Sequence, residues 1–372
     1  LTGAGLIFLA ICFTLNFALI YRGLTKGIEK FCLIAMPALI VCAALVLIRV
    51  LTLPGITDGL GFMWNPRGGE EDFWKGFSGS LAKPDMWLAA TGQIFFSLSV
   101  GFGIIITYSS YLRKDDDVAL SSLSSAAGNE FCEVALGGLI TIPSAFIFLG
   151  AAAVTAAAGS SFNLGFMTLP MVFESMPMGH TVGFLFFFLL FLAAVTSSLS
   201  MLQPAIALLE QGLGLNRKAS VAMLGFITLI GSSFVLYFSK GTTALGTFDF
   251  WVGTFCIYLL AMFQTILFGW VLGSKKGMAE LDRGAAIRVP RAVGFILRYV
   301  APIYLGVIFV AFLWDEIGKG KNSAFAAIFK DPVVGMSVGF IVAVAVFFTL
   351  MIAQAVKRWR KLEAVGEVEV SP

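Results

Sequence analysis

The stretch GQIFFSLSVGFG, residues 92 to 103, sets two hydroxyls, Ser97 and Ser99, and two glycines, Gly101 and Gly103, inside a segment apolar enough to cross a membrane. Oxygen-bearing side chains and bare backbone at that depth can replace the hydration shell of a small ion or polar solute. On an unbroken helix the two serines would point about 200° apart, so one of them would face lipid. Unwinding turns both toward one cavity. Backbone released from helical hydrogen bonds must then be satisfied by protein, water, an ion or a ligand, because hydrocarbon offers no partner. A binding site is the economical reading, and Phe96 and Phe102, one on each side of the break, could enclose an apolar side chain.

Two further apolar runs carry oxygen ligands. Asn129 and Glu133 stand four residues apart in AAGNEFCEVALGGLITIP, hence on one helix face. A carboxyl at membrane depth costs ~2.5 to 3.5 kcal/mol on insertion scales. A chain that keeps one uses it for an ion, a proton or a partner, unless it lies near the interface and snorkels or pairs with a base. In AAVTSSLSMLQP, residues 193 to 204, the consecutive hydroxyls Thr196, Ser197 and Ser198 cover a wide arc. Such hydroxyl and carbonyl sets suit a hard cation such as sodium, with back-bonding to carbonyls four residues earlier as the alternative. Asp249, in GTFDFW, reads as a helix N-cap in preference to a charge awaiting a cation. The single histidine, His180, falls at a loop end, where neither a catalytic nor a metal role is expected. Cys12, Cys32, Cys42, Cys132 and Cys256 lie in apolar segments without metal spacing, so they read as small core residues.

The elements that must hold these residues are membrane helices. Hydrophobic residues make up 58% of the 372 and charged residues only 13%, a balance that excludes a soluble domain. A hydrocarbon core of ~30 Å needs about 20 apolar residues per helix, and such runs recur about nine times. They fall near 3–21, 31–53, 87–112, 126–157, 182–211, 217–238, 246–273, 294–315 and 334–356. Basic clusters at Arg22, Lys26 and Lys30, at Arg113 and Lys114, at Arg217 and Lys218, within residues 275 to 291, and in the KRWRK tail alternate with a loop holding Glu70, Glu71 and Asp72. The positive-inside rule then puts the C-terminus in the cytoplasm and residue 1 outside. The chain starts on a membrane helix without a methionine or signal peptide, as if in the middle of a protein. Residues 158 to 181 hold an apolar patch around Pro170 and read as a lid over a cavity or as an ordinary interfacial loop. The chain has no HExxH, GxSxG or Walker pattern, and no histidine in its membrane segments to act as a base, which argues against an enzyme.

Six pieces of the chain together resemble the neurotransmitter:sodium symporter family, above all its bacterial amino-acid transporters. They are RGLTKGIEK…MP at 22–37, WLAATGQIFFSLSVGFGIIITYSSY at 87–111, NE…EV at 129–134, TSS…QP at 196–204, DFW at 249–251 and RVPR at 288–291. The likeness runs from residue 1 to about 360. It implies an all-α integral membrane protein of the LeuT-type fold, built from inverted repeats with broken helices. The nine spans would be the family's fourth to twelfth helices, with the unwound one near 97–101. Residues 1–53 would then be the remainder of the first repeat, 87–273 the second, 294–356 two C-terminal helices and 357–372 a cytoplasmic tail. The first three helices of the family, which supply sodium and substrate ligands, would lie outside this sequence, and the chain as given would not transport alone.

Carried over by position, the resemblance implies that Ser97 and Asn129 ligate a first sodium. The carbonyl of Ala193, with Thr196 and Ser197, contributes to a second. Phe96, Ser97, Ser99, Phe102, Ser197 and Met201 line the substrate site, and Met201 suits a medium or large apolar amino acid. Gln93, Phe96 and Asp249 belong to the outer gate and Tyr111 to the inner, where Gln211 stands in place of the usual acid, next to Glu210. Glu133 occupies the place where chloride-dependent relatives carry a small hydroxyl residue, which implies chloride-independent transport. The implied function is sodium-coupled import of a small zwitterion, most simply an amino acid, across the inner membrane by alternating access. A non-transporting binding or regulatory membrane protein is the alternative. The expected partners are the substrate, sodium and membrane lipid, with a homodimer as one assembly and no nucleic acid.

Overall fold

The computed structural model describes residues 3–65, 72–157, 161–238 and 242–364. Glu70, Glu71, the start of the 158–181 loop and the end of the 357–372 tail lie outside the described residues. Among the described residues every regular element is helical, and seven helices are long and apolar enough to cross a membrane. The chain opens with α1 (Gly3–Tyr21) and α2 (Lys26–Leu51), then the short α3 (Ile56–Met63) and α4 (Phe73–Leu81). The pair α5 (Pro84–Ser97) and α6 (Ile104–Ser109) precedes α7 (Val118–Ala157), α8 (Leu169–Ser175) and α9 (Gly179–Gly212). The last four are α10 (Arg217–Tyr237), α11 (Thr243–Leu281), α12 (Arg291–Lys330) and α13 (Pro332–Ala364). Two of the nine expected spans fall outside the seven for visible reasons. α1 offers a shorter apolar stretch, and the run near 87–112 is split into α5 and α6.

Two compact units divide the chain. The first comprises Leu1–Ala82 and Ser122–Leu199. Ala43, Val46 and Val50 recur at helical spacing on α2 and pack with Ile140 of α7 and Phe173 of α8 in one buried cluster. α3 approaches α7 so closely that a Cβ on Gly59 would lie 2.7 Å from the Pro143 carbonyl oxygen, an approach only glycine permits. The proline removes one backbone donor from α7, and next to it Ser144 Oγ donates to the Ile140 carbonyl at 2.5 Å. Arg49, in the last turn of α2, donates through Nε and Nη2 to the Pro177 carbonyl at 3.4 and 3.3 Å, which fixes the turn between α8 and α9.

The second unit comprises Lys83–Ser121 and Ser200–Pro372. Tyr258 of α11 is 1% exposed, and its hydroxyl donates to the Leu305 carbonyl of α12 at 2.7 Å. A buried phenol without that partner would carry a full desolvation penalty. Thr91 of α5 and Tyr304 of α12 share a 3.1 Å hydroxyl contact, so α5 is held to α12 by polar as well as apolar groups.

Asp117, just before α7, ties the loop after α11 to this unit. Its carboxylate accepts from the Ala286 and Leu120 backbone N–H groups at 2.7 and 2.8 Å. Those bonds, Ala286 first, hold its carboxyl below the usual carboxylate range. A lowered folded value means the contribution is present above the unfolded value and is lost as pH falls through the folded one. Asp117→Ala should therefore speed hydrogen exchange at the Ala286 amide several-fold at neutral pH, and the difference should vanish in strong acid. Equal exchange in both proteins at neutral pH would contradict this docking role.

Candidate functional site

α5 stays helical through Ser97, so the break starts one residue later than expected and occupies residues 98–103. Local hydrogen bonding explains the shift. The Ser99 N–H donates to Phe96 O at 3.1 Å and the Val100 N–H to Phe95 O at 2.9 Å, the two bonds of a Schellman cap. Such a cap needs a left-handed residue, and Ser99 supplies it at φ 57°, followed by Gly101 at 86° and Gly103 at 76°. Three left-handed residues in five cannot continue a helix. Gly101 lies against α11, where a Cβ would come 2.6 Å from the Ile257 carbonyl oxygen, whereas one on Gly103 would make an ordinary 3.7 Å contact with Pro204.

The rings of Phe96 and Phe102 meet edge to face across the break, centroids 5.5 Å apart and planes at 70°. Asp249 lies inside α11, not at its start: the N-cap position is Thr242 and the first helical residue Thr243. The N-cap reading is therefore corrected, since the apolar run TALGTF already forms helix ahead of the acid. A Cβ on Gly253 would lie 3.1 Å from Asp249 Oδ1 and 4.0 Å from the Phe96 ring, so the acid and the ring meet at that glycine. Within this unit the structure thus gathers Phe96, Phe102 and Asp249, with Ser97 Oγ donating to the Ile94 carbonyl at 3.4 Å. Gln93 and Met201 are exposed on α5 and α9.

The remaining expected ligands belong to the first unit. α7 widens into π-helical turns over Phe131–Gly138, two residues after Asn129 and around Glu133. Glu133 is half-buried. Asn129 Nδ2 is buried with no hydrogen-bond partner. Buried amides are ordinarily satisfied, and the oxygen and nitrogen of an asparagine are interchangeable by a flip, so this position can present a carbonyl oxygen to a cation. On α9 the Thr196 hydroxyl donates to the carbonyls of Leu192 and Ala193, both at 3.0 Å. Back-bonding is realised here, and it brings the Thr196 hydroxyl and Ala193 carbonyl together while each keeps a lone pair. Ser197, the next residue, is exposed.

The family profile described as the sodium:neurotransmitter symporter family matches residues 2–361. The chain belongs to this family. An uncharacterized sodium-dependent transporter of Haemophilus influenzae is 30% identical over 321 residues, covering 83% of this chain and 66% of the relative. A sodium-dependent nutrient amino acid transporter 1 of Drosophila ananassae is 28% identical over 308 residues, covering 79% of this chain and 45% of that protein. Among solved structures, MhsT in complex with L-phenylalanine matches with a TM-score of 0.67 at 29% identity, covering 81% of this chain and 66% of MhsT. The chain thus spans about two thirds, or less, of the length of these relatives. The LeuT-type fold of a multi-pass membrane protein follows, and the family is one of sodium-dependent transporters.

The second unit also carries polar residues that were not among the expected site residues. Gln203 is 2% exposed, and its Nε2 donates to Tyr111 Oη at 3.3 Å, while Tyr108 Oη donates to Ser200 Oγ at 3.4 Å. Tyr111 is therefore engaged by Gln203, and the Gln211 carbonyl accepts from Arg358 Nη1 at 3.3 Å and Trp359 Nε1 at 3.2 Å. Glu210 pairs with Arg217 at 3.1 Å. A signal for Gln203 was available: it lies seven residues after Thr196, on the same helix face.

Proposed function

We propose that the protein is a sodium-coupled symporter that imports a small zwitterion, an amino acid, by alternating access. The observation that carries this reading is the break at residues 98–103: three left-handed residues under an aromatic pair, in a membrane segment of a sodium symporter family member. Unwound backbone there offers carbonyls to a cation and amides to a carboxylate. By family correspondence Ser97 and Asn129 ligate one sodium, and Ala193, Thr196 and Ser197 a second. Phe96, Ser97, Ser99, Phe102, Ser197 and Met201 take the substrate, and Gln93, Phe96, Asp249 and Tyr111 gate it. The unpartnered Asn129 amide and the adjacent Thr196 and Ala193 oxygens support the two sodium assignments. MhsT, at 29% identity, is solved with L-phenylalanine, and the exposed thioether of Met201 favours a substrate of that apolar kind.

The family's two inverted repeats would supply residues 1–53 and 87–273, with the C-terminus on the cytoplasmic side of the inner membrane. Sodium would favour the outward-open state because its ligands differ between the two states. The test is uptake of a panel of amino acids, L-phenylalanine first, into proteoliposomes holding the full-length protein under an inward sodium gradient. Accumulation is expected with sodium and not with potassium; binding without accumulation would favour a non-transporting protein.

Glu133 gives the reading a second handle. A built-in carboxylate beside the first sodium would replace a chloride ion, so wild-type transport should be indifferent to chloride. Glu133→Ser should make uptake chloride-dependent, lowering it about tenfold or more in gluconate medium while chloride restores it. Equal uptake by the variant in both media would remove Glu133 from the ion site.

A further inference from the structure

The junction of α8 and α9, the last residues of one helix, the turn 176–178 and the first residues of the other, reads ESMPMGHT over residues 174 to 181 and lines a cavity of about 760 Å³ in the first unit that includes none of the residues assigned above. Glu174, Met176, Met178 and His180 all border that cavity. Met176 is 4% exposed and belongs to the buried cluster with Val172 and Phe173, so its thioether is held by the core. Met178 is 69% exposed and occupies the left-handed region at φ 63°, and His180 is also exposed. The backbone between them is fixed. Pro177 locks one φ and gives its carbonyl to Arg49, and Gly179 presses on the Phe173 carbonyl too closely for any side chain.

Among the described residues no three His, Cys, Asp or Glu side chains group to hold a metal ion. The thioethers change the chemistry. Two methionines and an imidazole at M-x-M-x-H spacing form a soft donor set, poorly suited to sodium, calcium or magnesium and well suited to a d¹⁰ monovalent cation. The Arg49 guanidinium near the turn penalises a divalent charge more than a monovalent one, and Glu174 offers a single neutralising charge.

We propose that Met176, Met178 and His180, with Glu174 as counter-charge, form a binding site for a soft monovalent cation of the Cu⁺ or Ag⁺ class. The cation joins the core-anchored thioether of Met176 to the exposed thioether and imidazole, and so clamps the α8–α9 turn.

Silver ion is the probe, because it is stable in air and has the same donor preference. It is titrated into the full-length protein labelled with ¹³C at the methionine methyls, with the five cysteines of this chain replaced by alanine because thiolates would compete for the metal. The Met176 and Met178 methyl signals, assigned from Met176→Leu and Met178→Leu, should shift together and saturate at one equivalent. Each leucine variant conserves volume and should keep the fold, yet each should weaken silver binding by about tenfold or more, as should His180→Ala. Zinc should leave both methyls unmoved. Unshifted Met176 and Met178 methyls, or shifts spread without saturation over exposed Met167 and Met171, would overturn the proposal. Tighter binding of zinc than silver would also overturn it.

Discussion

Replacing Asn129 with alanine should raise the sodium concentration needed for half-maximal amino-acid binding about tenfold or more, with little change in thermal stability. The two halves of that expectation come from one feature. The buried Nδ2 of Asn129 has no hydrogen-bond partner, so truncation breaks no bond to Nδ2 and leaves no partner of it stranded. What truncation removes is an oxygen that a flipped amide would give to the ion. A structural asparagine would behave in the opposite way, losing stability and keeping sodium affinity in the molecules that remain folded. Sodium titration of substrate binding, run beside a melting curve, separates the two. Unchanged half-saturation would remove Asn129 from the ion site.

Gly101→Ala should be far more damaging than Gly103→Ala, although both glycines sit in the same break. Each has a positive φ, which costs a non-glycine residue roughly 1 to 2 kcal/mol. Only Gly101 also meets a wall: its new Cβ would come 2.6 Å from the Ile257 carbonyl oxygen, and backbone cannot step aside as a flexible side chain does. Overpacking of that kind adds roughly 1 to 3 kcal/mol. Relief requires moving the break away from α11, which also moves Ser99 and the Phe96–Phe102 pair. Substrate affinity should fall by two orders of magnitude or so for Gly101→Ala and by about tenfold or less for Gly103→Ala. Comparable losses at the two positions would mean that the approach to Ile257 is not what sets the site.

Much of this arrangement was legible in the chain because it depends on local chemistry. Serines and glycines interleaved in an apolar run announce a break, since neither lipid nor helix has a use for them there. The register of the break was less visible. It is set by which residue takes the left-handed place of the Schellman cap, and a serine in that place is not what the glycine pattern suggests. Asp249 looked like a cap because acids start helices, but the preceding TALGTF begins α11 without any side-chain cap. Gln203 was half legible: its seven-residue step from Thr196 puts it on that helix face, but its bond to Tyr111 arises where the segment following α6 meets α9, which no periodicity reports. The back-bonding of Thr196 shows that a ligand reading and a local reading of one hydroxyl need not exclude each other.

The most direct test of sodium coupling is equilibrium binding of a labelled amino acid to the full-length purified protein, with sodium varied at constant ionic strength against potassium. If sodium and substrate share the break at residues 98–103, the amino-acid affinity must rise steeply as sodium increases, and substrate must by linkage tighten sodium binding by the same factor. An amino-acid affinity that is the same in sodium and in potassium would contradict the account.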